Sequence, residues 1–258
     1  MRVLFLLTLF IFFTSNSVFA LTLFEDFNKK GKPQTANSVK WSYKDQLLPV
    51  KGWSDIVPGD GFAYLTFDTN SHNDRLKNGK KNKWPFQMLE IESVEPGHSL
   101  EMRAKNCAIL GVASFIFTYV EFGKKFDEID IEIAAYDKNA HNSNNKLTNI
   151  RLNSWANSSL RNYKPEISHK QPIKDAKGNE ISIDDNRFHT FRIDWYKDHI
   201  DFYIDDVYQQ TIKKLVPKHK AKLLVGVRHM SWCGKFNWKG KRSFIVDWIK
   251  VKPLKDSK

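Results

Sequence analysis

Beyond the first twenty residues, apolar and polar side chains alternate in short runs. The runs are Phe62-Ala63-Tyr64-Leu65-Thr66-Phe67, Ala113 to Val120, Glu128 to Ile133, Phe188 to Trp195, His199 to Ile204, Lys222 to Val227 and Phe244 to Val251. A period of two places successive side chains on opposite faces of a strand. Each run is rich in aromatic and β-branched residues and is bounded by Gly, Pro, Asn or Asp, as strands are. Tyr196-Lys197-Asp198 separates two of them and predicts a hairpin. Asn157 to Asn186 is polar and weakly patterned, and reads as a long loop with room for one hairpin. Strands at this spacing, with no helical segment between them, predict an all-β, antiparallel sandwich.

Composition agrees with this picture. Aromatic residues make up 14% of the 258-residue chain, which suits a large strand-rich core. With no Pro/Ser linker, repeat or heptad, one domain is expected. The first twenty residues read as a secretory signal: Arg2 gives the positive end, Leu4 to Phe13 is apolar, and Val18-Phe19-Ala20 offers a cleavage site. That apolar run falls short of the ~20 residues that cross a bilayer. The mature chain is therefore expected to begin near Leu21 and to be exported, with no membrane attachment once the signal is removed. The two cysteines, Cys107 and Cys233, both follow expected strands of one sheet, and an oxidising compartment permits a bridge between them.

The formal charge is +12, with lysines clustered at Lys77 to Lys83 and Lys213 to Lys222. Such a surface is either merely solvated or drawn to an anionic polymer. Nucleic acid is not an expected partner of an exported chain without a recognition motif.

The candidate chemistry lies at Phe126 to Ile133. On a strand, Ile129, Ile131 and Ile133 share the core face, while Phe126, Glu128, Asp130 and Glu132 share the other. Three carboxylates about 6.8 Å apart along one face repel one another. A retaining glycosidase uses such a set, one carboxylate as nucleophile and one carboxyl as acid, roughly 5–5.5 Å apart. Glu128 and Glu132 start ~13 Å apart at their α-carbons, so their side chains must converge. Asp130 between them would raise the pKa of whichever glutamate must stay protonated and hold the other as an anion. Alone the motif is weak: Glu-x-Asp-x-Glu arises by chance in roughly a third of chains of this length. A calcium site or a solvated strand face would show the same letters. The neighbours strengthen it, because Phe117 and Tyr119 on the preceding strand and Asn153 and Trp155 on the following one supply stacking faces and a polar partner for sugar.

Phe126-Asp127-Glu128-Ile129-Asp130-Ile131-Glu132 resembles the signature of glycoside hydrolase family 16 in its bulge-free form, that of bacterial lichenases, plant xyloglucan enzymes and fungal cell-wall transglycosylases. Phe188 to Trp195, Ile200 to Asp205 and Val246 to Val251 resemble later strands of that family, and Gly52-Trp53-Ser54-Asp55 sits where lichenases place a sugar-contacting aromatic and amide. The resemblance spans nearly all of 21–253. It implies a concanavalin A-like jelly roll with a cleft on its concave face, so 1–20 is the signal, 21–253 the catalytic domain and 254–258 a short basic tail. It implies Glu128 as nucleophile, Glu132 as acid/base and Asp130 as electrostatic helper, with Trp53, Asp55 and Phe126 at substrate. It implies no catalytic cofactor, and a structural calcium held by Asp247 and a carbonyl near Gly61.

The chain departs from the family at Phe126, usually Trp, and at Gly226 and Arg228, where lichenases have Asn and Trp. Trp232 stands as a replacement platform, and Arg228 with the positive surface points towards an anionic or modified glycan. The expected function is a secreted, monomeric, retaining endo-β-glycosidase acting on a polysaccharide. The alternatives are a transglycosylase, a non-catalytic glycan-binding sandwich, or a metal-dependent hydrolase using His219, His229 and Met230, whose spacing fits no zinc motif.

Overall fold

A computed structural model describes residues 22–28, 41–44, 60–68, 86–107, 109–139, 147–235 and 239–255. The described residues form fifteen strands: β1 (Leu23–Glu25), β2 (Trp41–Lys44), β3 (Ala63–Asp68), β4 (Phe86–Val94), β5 (His98–Lys105), β6 (Val112–Phe122), β7 (Lys125–Ala134), β8 (Asn149–Ser159), β9 (Ile167–Lys174), β10 (Glu180–Ile181), β11 (His189–Trp195), β12 (Ile200–Ile204), β13 (Val207–Ile212), β14 (Ala221–His229) and β15 (Lys241–Pro253). They form two antiparallel sheets. One runs β1-β15-β5-β11-β12-β13, with β3 also on β15; the other runs β10-β9-β8-β7-β6-β14-β4-β2. The expected antiparallel sandwich is the observed architecture.

Alternation builds the core between the sheets. Ile116, Ile129, Ile131, Ile133, Leu152, Leu223, Val225 and Val227 of the eight-stranded sheet meet Leu100, Met102, Phe191, Ile193, Trp195 and Val246 of the other, all essentially inaccessible to water. Each such aliphatic side chain contributes about 1.5–3 kcal/mol by leaving water. The Trp195 indole keeps its polar end satisfied by donating to the Pro217 carbonyl at 3.1 Å. Because β7 gives its isoleucines to this core, the intervening carboxylates must face outward.

Two turns fix the registers that matter. Gly123, at φ 63°, opens the two-residue turn from β6 to β7, a conformation that a Cβ would penalise. The register then runs without interruption from Phe122↔Lys125 to Ala113↔Ala134. At the other sheet, Asp205 and Asp206 both have positive φ between β12 and β13, and Asp205 Oδ1 accepts the Thr190 amide at 2.8 Å.

The polar segment after Asn157 carries the expected hairpin, β9 with β10 at Ile181↔Ile173, and β9 also joins the sheet, pairing with β8 from Asn149↔Pro172 to Ser154↔Ile167. Two expectations are corrected here. The cysteines are free and buried. Cys107 belongs to the core between the sheets, and its amide donates to Ser114 Oγ at 3.3 Å. Cys233 packs with Ala113, Ala134 and Trp232 on the outer face of the eight-stranded sheet, so that sheet stands between the two sulfurs. Burial pushes the Cys107 thiol up to about 12 and raises that of Cys233 as well, which leaves both protonated.

The proposed calcium position also fails. The Asp247 carboxylate is ion-paired with the Arg103 guanidinium, and an aspartate engaged by an arginine does not fit a cation site. Gly61 lies at φ 89° with Asn28 Oδ1 3.3 Å from where a Cβ would stand. Among the described residues no group of three or more His, Cys, Asp or Glu is placed to hold a metal. No described helix is long and apolar enough to cross a membrane.

Candidate active site

The outer face of the eight-stranded sheet carries the carboxylates in three ranks. Glu128 lies between Tyr119 of β6 and Trp155 of β8, Asp130 between Phe117 and Asn153, and Glu132 between Phe115 and Arg151. Further out, Lys222, Leu224 and Gly226 of β14 continue these ranks beyond β6, while Ser168 and Lys170 of β9 continue the last two beyond β8. The row is unbulged between Glu128 and Ala134; a register shift falls between Phe126 and Glu128 on the β8 side. Glu128 is partly accessible, whereas Asp130 and Glu132 are 2% and 6% exposed.

Aromatic rings surround the Glu128 end. Phe126 lies 5.6 Å from Tyr119, 6.4 Å from Trp155 and 5.4 Å from Tyr163 between ring centroids. This apolar cover withdraws water from Glu128 and lifts its carboxyl to about 7, further raised by Glu132 and opposed by a hydrogen bond from Asp130 and by the charge of Arg228. Burial, with Glu128 and Glu132 beside it, raises Asp130 well above the ordinary aspartate range. Asp130 Oδ2 is buried and receives no N–H or O–H donor from the described residues. A proton on Asp130, donated to Glu128, satisfies that oxygen and gives Glu128 a partner for its anionic form.

The Glu132 end is polar. Arg228 Nη2 donates to Glu132 Oε1 at 3.0 Å, and Asn153 Nδ2 donates to Oε2 at 3.2 Å. Asn153 is held in that orientation because its carbonyl oxygen accepts Ser168 Oγ–H, and Ser168 in turn accepts from Lys170 Nζ at 2.9 Å. Both oxygens of Glu132 thus act as acceptors, the arrangement of a carboxylate. Arg151, the cross-strand neighbour of Glu132, is committed elsewhere: Nε and Nη2 grip the buried Asp137 at 2.6 and 2.8 Å. Its guanidinium lies 3.6 Å from the Trp232 ring centroid.

A buried carboxylate supports the row from behind. Asp127, on the core side of β7 and 1% exposed, accepts the Asn157 amide at 2.7 Å and the Lys218 amide at 3.2 Å, and contacts His219 Nδ1 at 2.7 Å. It ties β7 to β8 and to the segment entering β14. His219 also lies tilted against Phe122, with ring centroids 4.1 Å apart, so its partners are an aspartate and an aromatic ring.

The sequence-predicted residues divide as follows. Glu128, Asp130, Glu132, Phe117, Tyr119, Asn153, Trp155 and Arg228 converge on one face. Phe126 is fully buried beneath Tyr119 and Tyr163, so it props the site rather than presenting a ring to sugar. Trp232 is 7% exposed and covered by Arg151, so it is wall and not platform. Trp53 and Asp55 lie outside the described residues. Sequence reading missed the Lys170–Ser168 chain, the Arg151–Asp137 pair and Tyr163, which is 58% exposed beside Phe126.

Comparison with known proteins decides the family. Residues 97–250 match the family model for glycosyl hydrolases family 16. The chain belongs to this family. It is 27% identical over 192 residues to a beta-glucanase of Paenibacillus polymyxa, covering 72% of this chain and 67% of that protein. In fold it is similar to the beta-glucanase of Bacillus licheniformis, with a TM-score of 0.63 at 17% identity, covering 92% of this chain and all of the other. It is also similar to a Crh5 transglycosylase solved in complex with NAG, with a TM-score of 0.55 at 17% identity, covering 91% and 85% of the two chains. Family membership and these relatives make the protein a glycan-active enzyme, a glycoside hydrolase, of jelly-roll architecture.

Proposed function

We propose that this chain is an exported, monomeric, retaining endo-β-glycosidase, with 1–20 as signal and 21–253 as the catalytic domain. The observation that carries the reading is the unbulged row of Glu128, Asp130 and Glu132 on the outer face of the sheet, with stacking aromatics beside it. Glu128 acts as nucleophile. It is the most accessible of the three, and a protonated Asp130 can donate to its anion and hold it ready to attack the anomeric carbon. Glu132 acts as acid and then as base, giving a proton to the departing glycosidic oxygen and later taking one from the incoming water. Asn153 holds Glu132 at its post. Tyr119, Trp155 and Tyr163 offer faces on which sugar rings stack.

Retention follows from the two displacements, and it is directly measurable. Proton NMR during the first turnovers on a β-glucan should show the β-anomer of the new reducing end before mutarotation. Initial appearance of the α-anomer would exclude a glycosyl-enzyme at Glu128.

A further inference from the structure

Arg228 sets a problem for the chemistry just assigned. The first step needs a protonated Glu132 and an anionic Glu128. The free site is arranged the other way. Glu132 accepts at both oxygens, from Arg228 and Asn153, so a proton there would have to displace one of two donors. The groups facing Glu132 are Arg228 from β14, Asn153 and Arg151 from β8, and Asp130 on its own strand, with Arg151 neutralised by Asp137. Arg228 is therefore the cation paired with Glu132.

That cation is not fully used. Arg228 Nε is buried and finds no acceptor among the described residues, although the side chain as a whole is 34% exposed and open to a ligand. Its guanidinium lies 5.4 Å from the Phe115 ring centroid. Ion-paired to a carboxylate by one edge, with a free Nε–H, it has donors left for a second anion. Lys170 stands two strands from Glu132, beyond Arg151 in the same rank, and four strands from Arg228, and the chain's charge of +12 favours approach of a polyanion.

We propose that the substrate is an acidic β-glycan, and that a carboxylate or sulfate beside the scissile linkage draws the Arg228 guanidinium from Glu132. Released from its cation, Glu132 takes the Glu128 proton, while Asp130 keeps its own and donates it to the Glu128 anion. The transfer leaves Glu128 anionic, and the proton count of the three carboxyls is unchanged. The leaving glycosidic oxygen then receives that proton as the Glu128 oxygen bonds to the anomeric carbon. A neutral glycan leaves the ion pair in place and turns over slowly. The inference rests on the glycosidase reading above and adds to it the class of substrate.

The test uses β-1,3-glucan and mixed β-1,3-1,4-glucan, each as the neutral polymer, after oxidation at C6 to the uronate, and after partial 6-O-sulfation. Wild-type protein should show kcat/KM at least about tenfold higher on a charged form than on its neutral parent. The uronate and sulfate arms identify which anion is read. Arg228→Met should reverse the ranking, gaining on the neutral polymer and losing on the charged one, while Arg228→Lys should keep part of the preference. Circular dichroism verifies that both variants fold. Equal rates on neutral and charged forms, or a ranking untouched by Arg228→Met, would overturn the inference and leave the glycosidase reading standing. Absence of turnover on every polymer would count against both.

Discussion

The two ends of one carboxylate row, on a single strand, are built from opposite materials. Around Glu128 stand Tyr119, Phe126, Trp155 and Tyr163, and removal of water raises its carboxyl to about 7. Around Glu132 stand Arg228, Asn153 and, behind them, Ser168 and Lys170, all donors. Strand geometry alone would give the three side chains equivalent settings. The difference comes from the neighbouring strands, and it teaches that surroundings are assigned here by rank: apolar rings at one end withdraw water and favour a proton, while a cation and an amide at the other donate to both carboxylate oxygens.

The largest effect should come from undermining the polar end. Asp137 is inaccessible and is the bidentate partner of Arg151. Asp137→Ala strands a largely buried guanidinium and should cost about 3 kcal/mol in urea unfolding. A loss below about 1 kcal/mol would mean that Trp232 alone holds Arg151.

The apolar end should show itself in the pH dependence of stability. A carboxyl raised in the folded state contributes stability that is complete below its unfolded value, here about 4.5, and is lost as pH climbs through the folded value near 7. Glu128→Gln does not titrate. Relative to that variant, wild type should therefore lose on the order of 2 kcal/mol between those limits, allowing for partial exposure. Thermal melts of both proteins across the window read this out. A difference independent of pH would contradict the desolvation of Glu128.

Asn153→Ala should then lower kcat by roughly 10-fold and stability by about 1–2 kcal/mol, since Glu132 Oε2 loses its donor and Ser168 its acceptor. Asn153→Asp should be worse for activity, because it puts a fourth carboxylate beside the row. Smallest of all, Tyr163→Ala should raise KM by roughly two- to tenfold with little change in kcat, the signature of a stacking face that binds ground and transition states alike.

How much of this was legible without coordinates follows from range. The core-facing isoleucines of β7 declare its orientation, because alternation is local, so the carboxylate row and its flanking aromatics could be read directly. Strands β6, β11, β12, β14 and β15 were legible for the same reason. Strand β9 was not, since a strand next to the sheet edge with half-exposed residues throughout Ile167–Gln171 carries no apolar period. The Lys170–Ser168–Asn153 chain was hidden with it. Cysteine pairing failed for another reason. Which sheet a strand joins is set by long-range pairing: Cys107 follows β5 of the seven-stranded sheet and lies in the core, whereas Cys233 follows β14 of the other sheet and lies on its outer face. The calcium expectation and the readings of Phe126 and Trp232 came from resemblance. They fell to partners that resemblance cannot supply: Arg103 on Asp247, Tyr163 over Phe126, and Arg151 over Trp232.

Turnover by Glu128→Gln, on whichever β-glycan the wild-type protein cleaves, probes the nucleophile itself. The account predicts a fall in kcat of at least about 10³-fold with affinity for the polymer within a few-fold of wild type. A variant that turned over at the wild-type rate would remove Glu128 from the chemistry, and with it the division of the row on which the mechanism depends.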